Sequence, residues 1–284
     1  MIRATLALAL LAAPAGAAVE ADCAALLERV GARAGGTSFT GDACVFSDVE
    51  YGDGPSRWRA GRVILSGDVD ALPDALPSRL TGGVTGLGLA PEIEGQPGFD
   101  WLLREQAKPG ISLTFDITAE GGGVAINSLT FRLGDAGEVT ASARLSGMPE
   151  VWPVDPVAMA GMKLDDMDAT IVFDGLFEAL VLIPLGTQLL DLTQPAEPQV
   201  EALRAGAAAW LAGFEGTALA EDAGQAGAFL DTLPHPRGEL GLRVGGTGLS
   251  LLQLGSLAGG IASPGFLARI AEAAEVELTW DAEE

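Results

Sequence analysis

Period-two alternation in the middle of the chain and a 3.6-residue apolar stripe further on predict an α+β protein: a twisted antiparallel β-meander with helices packed on one face. In Ile111-Ser-Leu-Thr-Phe-Asp-Ile-Thr118 the odd positions are apolar and the even ones polar, so one face meets a core and the other water. Gly121-Gly122-Gly123 turns the chain into Val124 to Leu133, where the apolar phase slips at Asn127-Ser128 and predicts a bulge. Asp135-Ala136-Gly137 makes the next turn. Val139, Ala141, Ala143 and Leu145 then alternate against polar neighbours, completing a three-stranded meander that ends near Met148. Further strands are expected at Trp58 to Asp68, Leu164 to Asp174, Glu239 to Val244, Leu249 to Leu252 and Glu275 to Asp281, all able to pair without parallel crossovers.

Helical pattern dominates from Leu176 to Leu233. Within Ala196 to Phe214 the residues Leu203, Ala207, Trp210, Leu211 and Phe214 fall on one stripe. Thr217 to Thr232 makes a weaker helix, which Leu233-Pro234-His235-Pro236 ends because proline disfavours helix in the residue before it. Shorter helices are expected at Asp22 to Ala34, Asp100 to Lys108 and Pro264 to Ala274. The glycine- and proline-rich stretch 82–98 reads as a loop. It would join an N-terminal helix-strand unit, 19–81, to a main sheet unit, 99–284, and 19–284 could equally form one domain.

Residues 1–18 read as a secretory signal: Arg3, an apolar run from Ala4 to Ala13, and the small triplet Ala15-Gly16-Ala17. The mature chain would begin near Ala18. Cys23 is preceded by Ala21-Asp22, which does not suit lipid attachment, and no twin arginine is present. The longest later apolar run, Leu176 to Leu190, carries Glu178, Pro184 and Gln188 and falls short of the roughly 18 to 20 residues that span a bilayer, so no membrane anchor is expected. The two cysteines, Cys23 and Cys44, fit an oxidising compartment. Their spacing is far from the tight C-x-x-C of redox pairs, and we expect a structural disulfide closing a loop of 22 residues.

About 267 mature residues suffice for a full hydrophobic core without a metal or a repeat array. With 16 basic residues against 39 acidic ones the net charge is -23, which disfavours nucleic acid and anionic headgroups as partners. The one basic cluster, Arg57-Trp58-Arg59 with Arg62, reads as a solvated strand edge. Only Lys108 and Lys163 are lysine, a usage that fits a GC-rich genome and, with the export signal, a Gram-negative periplasm.

Searches for catalytic chemistry find little. The only histidine, His235, lies between prolines, no G-x-S-x-G elbow exists, and neither lysine follows a serine by three residues. Asp165, Asp166 and Asp168 form one acidic cluster and Asp48, Glu50 and Asp53 another. Either offers hard oxygen ligands to Ca²⁺, but neither has the spacing of a calcium loop, and solvated strand edges are the simpler reading. Glycine motifs that cradle phosphate are absent, and no cofactor is expected.

One face of the sheet collects Ile111, Leu113, Phe115, Ile126, Leu129, Phe131, Val139 and Leu145. Those residues form either the core beneath the helices or an apolar groove for an acyl chain. The runs Ile111 to Thr118, Val124 to Phe131 and Gly137 to Gly147, with Leu233-Pro-His-Pro-Arg-Gly-Glu-Leu-Gly-Leu, resemble the strand grammar of AsmA-like and related envelope proteins of alphaproteobacteria. The resemblance implies a β-rich envelope protein tied to lipid or outer-membrane homeostasis, with no catalytic residues to carry over. The chain departs from AsmA-like proteins in its shortness and in having no retained anchor. The expectation is an exported, non-enzymatic protein that binds a lipid or an envelope partner. The alternatives are a hydrolase working through acidic residues and a purely structural envelope protein.

Overall fold

A computed structural model of the protein describes residues 15–54, 57–72, 77–90, 98, 101, 110–148, 161–250 and 275–283, with side chains from residue 23 onward except 246–249. Most of the signal segment, the helix expected at Asp100 to Lys108 apart from Trp101, the helix expected at Pro264 to Ala274, and the strand end at Leu251-Leu252 lie outside the described residues. The fold is α+β and its sheet is antiparallel. Two compact units, Met1–Ile111 and Ser112–Glu284, divide the chain, and within each the strands lie side by side in chain order.

The first unit comprises α1 (Ala15–Val30), β1 (Ala32–Thr40), β2 (Ala43–Tyr51), β3 (Trp58–Gly67) and β4 (Arg79–Leu89), with a 3-10 turn at Val69–Ala71. Two expectations are corrected. The first helix stops at Val30 because Gly31 takes a left-handed φ of 72°, so Arg33 and Ala34 belong to β1 and not to a helix. Gly82 to Leu89, expected in a loop, extends β4: Leu80, Val84, Leu87 and Leu89 supply enough side chain for a strand whose glycines pair along β3, as in Leu65 opposite Gly82 and Ile64 opposite Gly83. The core is small. Cys23 and Leu26 of α1 pack on Cys44 and Phe46 of β2, with Phe39, Val63 and Leu65 around them. The cysteines are bonded to each other, with Cα atoms 5.6 Å apart.

The second unit contains β5 (Ile111–Glu120), β6 (Gly123–Leu133), β7 (Gly137–Ser146) and β8 (Lys163–Phe173). Four helices follow, α2 (Leu176–Leu180), α3 (Leu182–Leu189), α4 (Ala196–Ala212) and α5 (Ala220–Thr232), before β9 (Gly238–Ser250) and β10 (Glu275–Ala282). The β5–β6 turn needs glycine, since Gly121 and Gly122 both have positive φ, the pairing that a tight hairpin demands. The register of β6 on β7 shifts between Ile126 and Leu129, the expected bulge.

Directly opposed residues share a face, so register sorts the unit into two surfaces. One transverse row runs Phe131, Val139, Ile171, Leu240, Trp280 and the next Leu129, Ala141, Ala169, Leu242, Leu278. The opposite face carries Thr130, Thr140, Thr170 and Thr279, with the ion pairs Arg132–Glu138, Arg144–Asp166 and Arg243 to Asp168 and Glu277. Phe173 anchors the apolar end. It lies directly between Gly137 of β7 and Gly238 of β9, where a Cβ would come within 2.2 Å of Val172 O and 2.1 Å of Asp281 O respectively.

The β10 edge is guarded by α5. Asp222 Oδ1 accepts from the Leu278 amide at 2.7 Å and Gln225 Oε1 from the Trp280 amide at 3.0 Å, so one helical turn occupies two donors that a sheet edge would otherwise offer to another chain. Replacing both Asp222 and Gln225 by alanine should cost about 2 kcal/mol and induce concentration-dependent self-association, visible by sedimentation velocity. A variant that stays monomeric at unchanged stability would show that the two side chains do not guard the edge.

Candidate functional site

The helices between β8 and β9 hold an apolar cleft of about 300 Å³. Its first wall is α3, where Leu182, Leu185 and Leu189 recur at helical spacing and Pro184 is accommodated in the first turn. Its second wall is α4, through Val200, Leu203 and Ala207, and Leu230, Leu233 and Pro234 close the end toward α5. Arg204 is the one charged residue lining it among the described residues. Phe177 forms the floor and belongs to the core cluster with Phe173 and Leu176.

The turn from α3 to α4 sets the angle between the walls. Thr193 donates to Asp191 Oδ1 through its amide at 3.0 Å and its hydroxyl at 2.7 Å, which holds the Asp191 carboxyl below the usual aspartate range. Gln199 on α4 accepts from the Asp191 amide at 2.7 Å and donates to the Asp191 and Pro195 carbonyls. The cleft lining is partly open to solvent: Leu189 is 51% exposed, Leu203 40% and Leu185 39%. Large hydrophobics left this exposed on neighbouring helices mark an interaction surface.

Beside Pro234 lies a polar cluster. Glu178 Oε1 accepts from His235 Nδ1 at 3.0 Å and Arg237 Nη1 at 2.8 Å, while Oε2 is buried without a partner among the described residues. Desolvation works to raise the pKa of Glu178, but the hydrogen bonds from His235, its own amide and Arg237 outweigh it, and the carboxyl titrates below the ordinary glutamate range. A carboxyl with a depressed pKa in the folded state stabilises the protein above its unfolded value, near 4.5, and loses that contribution as pH falls through the folded value. Glu178→Gln should therefore lower the melting temperature at pH 7 by about 3 °C, a loss of about 1 kcal/mol, and the gap to wild type should close between pH 5 and 3. A gap independent of pH would assign the residue a packing role only.

The groove residues expected on the sheet, Ile111, Leu113, Phe115, Ile126, Leu129, Phe131, Val139 and Leu145, are half-buried, and of these Phe131 and Val139 pack on the Phe173 cluster. None of them lines the helical cleft. Five residues of the acidic clusters engage neighbours. Asp165 accepts from Ser146, Asp166 pairs with Arg144 and Asp168 with Arg243. In the first unit Asp48 pairs with Arg59 and Glu50 with Arg57, so two members of the basic cluster meet two of the acidic one. Among the described residues no group of three or more histidine, cysteine, aspartate or glutamate side chains is placed to hold a metal ion, and no helix is long and apolar enough to cross a membrane.

Sequence reasoning missed the cleft itself. Its one signal was α3, whose Leu-Ile-Pro-Leu-Gly-Thr-Gln-Leu is apolar around most of its circumference although much of it faces water. Fold and site together define an antiparallel α+β protein with a disulfide-tied helix and an apolar cleft in a helical insertion. Neither a protein-family model nor a curated protein sequence matches the chain.

Proposed function

We propose that this chain is an exported, non-enzymatic protein of the Gram-negative periplasm that binds an apolar chain, such as the acyl chain of a lipid, in the cleft between α3, α4 and α5. The cleft carries the reading. Its volume of about 300 Å³ lies at the lower end of small-molecule sites, its walls are mostly leucine with valine, alanine, proline and one arginine, and several of its leucines are partly exposed. A closed core would have buried those leucines, and an enzyme would have placed convergent polar groups among them.

The disulfide and the signal-like N-terminus support export, and the resemblance to AsmA-like envelope proteins agrees with a lipid ligand. In the same proposal the helices cover one face of a twisted sheet, and the half-buried apolar residues of β5–β7 belong to that covered face. The test is native mass spectrometry of the protein purified from a periplasmic extract without detergent, followed by organic extraction and lipid analysis. A stoichiometric acyl lipid is the expected result. A ligand-free protein that also fails to take up a lipid supplied to it would overturn the proposal.

A further inference from the structure

Arg204 is out of keeping with the walls it shares. It lies on α4 between Leu203 and Ala207, both of which line the cleft, and its Nε is shielded from water with no hydrogen-bond acceptor among the described residues. Nor is it in an ion pair among them, although the protein carries 39 carboxylates and most described arginines of the sheet have one. Glu201, one turn earlier on α4, is exposed and does not engage it. A guanidinium has only donors to offer, and a buried donor left without an acceptor is costly. Arg204 as a whole is half-buried, and an apolar cleft with one cation at its wall that has no ion-pair partner among the described residues is complementary to a chain that ends in an anion.

Resting on the binding function proposed above, we infer that the ligand is a long-chain carboxylic acid, its hydrocarbon along the α3 and α4 leucines and its carboxylate on Arg204. Two observations favour a carboxylate over a phosphorylated headgroup. Among the described residues there is one arginine and no lysine in the cleft, whereas a phosphate carrying close to two charges calls for several donors. The net charge of -23 repels anions, and the repulsion grows with ligand charge, so a monoanion is the one that a single guanidinium can hold. A carboxylate also matches the planar fork of arginine with two parallel hydrogen bonds.

The experiment uses the full chain, delipidated by organic extraction and refolded, and titrates it by calorimetry at pH 7.5 with dodecanoate, 1-dodecanol and dodecyl phosphate. Dodecanoate should bind at least about tenfold tighter than dodecanol, the gain from one charge-assisted hydrogen bond being the lower bound for the two-bond fork. Arg204→Met keeps the length and apolar body of the side chain. It should remove that advantage and leave dodecanol within about twofold of wild type. Ala207→Phe fills the cleft and should abolish binding of all three, circular dichroism confirming that both variants fold.

Equal binding of acid and alcohol, blocked by Ala207→Phe, would overturn the carboxylate inference and leave the apolar site standing. Discrimination that survives Arg204→Met, or tighter binding of dodecyl phosphate, would overturn the inference as well. Binding of none of the probes, or binding indifferent to Ala207→Phe, would overturn the site and the inference together.

Discussion

Phe173→Ala is expected to lower the unfolding free energy of the second unit by about 4 kcal/mol, the range for truncating a buried phenylalanine. Phe173 is 5% exposed and its ring meets Phe229 at 5.5 Å and Trp280 at 6.1 Å, while Phe229 and Trp280 meet each other at 5.0 Å. One residue thus joins β8, α5 and β10. Collapse around the missing ring is hindered because its direct cross-strand neighbours are Gly137 and Gly238, which have no side chains to move in. For a unit of this size the melting temperature should fall by about 10 °C. Phe173→Leu, which keeps most of the volume, should cost about 1.5 kcal/mol. A loss below 1 kcal/mol for the alanine variant, measured by urea unfolding, would show that the aromatic triad is not the centre of this core. Because Phe177 floors the cleft and packs on Phe173, the alanine variant should also weaken ligand binding.

Much of the sheet was legible because half-buried antiparallel strands leave a period of two in the sequence. Ile111 to Thr118, Val124 to Leu133 and Val139 to Leu145 all fall within observed strands, and the bulge near Asn127 showed as a slip of phase. Strand β1 was not legible. Ala-Arg-Ala-Gly-Gly-Thr-Ser-Phe-Thr has few β-formers, and it is a strand because α1 ends at Gly31 and β2 offers it a partner from Ala43 to Tyr51. Strand β4 was hidden by its glycines for the same reason: propensity is local, whereas pairing to Val63, Ile64 and Leu65 is not.

The cleft raises a different difficulty. Leu203 and Ala207 were correctly placed on one helical stripe with Trp210 and Phe214, but periodicity does not distinguish a stripe that closes a core from one that lines a cleft. In the structure the stripe divides. Trp210 and Phe214 meet edge to face at 4.9 Å with Phe214 buried, whereas Leu203 and Ala207 line the cavity and Leu203 remains 40% exposed. What separates the two halves is the geometry of the Asp191–Gln199 turn, which no pattern of hydrophobicity encodes. Arg204, next to Leu203 in sequence, carried no signal at all, since an arginine on an exposed helix is ordinary until its neighbours are known to form a cavity.

Removing the disulfide should be the largest single loss in the first unit. Cys23 and Cys44 are fully buried and tie α1 to β2 across a loop of 22 residues, for which chain entropy gives about 3 kcal/mol. Cys23→Ala with Cys44→Ala should lose that amount and about 1 kcal/mol more for the packing of two sulfurs on Leu26 and Phe46. The two contributions can be separated. Wild type unfolded and refolded in reductant keeps the sulfurs and loses only the cross-link, so it should lie about 1 kcal/mol above the double variant. Reductant added to the folded protein should act slowly, because neither sulfur is accessible until α1 lifts from the sheet. The two core clusters share no residue, so the cysteine changes should add to Phe173→Ala within about 0.5 kcal/mol. If the reduced wild type is as stable as the oxidised one, the Leu26 and Phe46 contacts alone hold α1, and the bond contributes nothing to the fold.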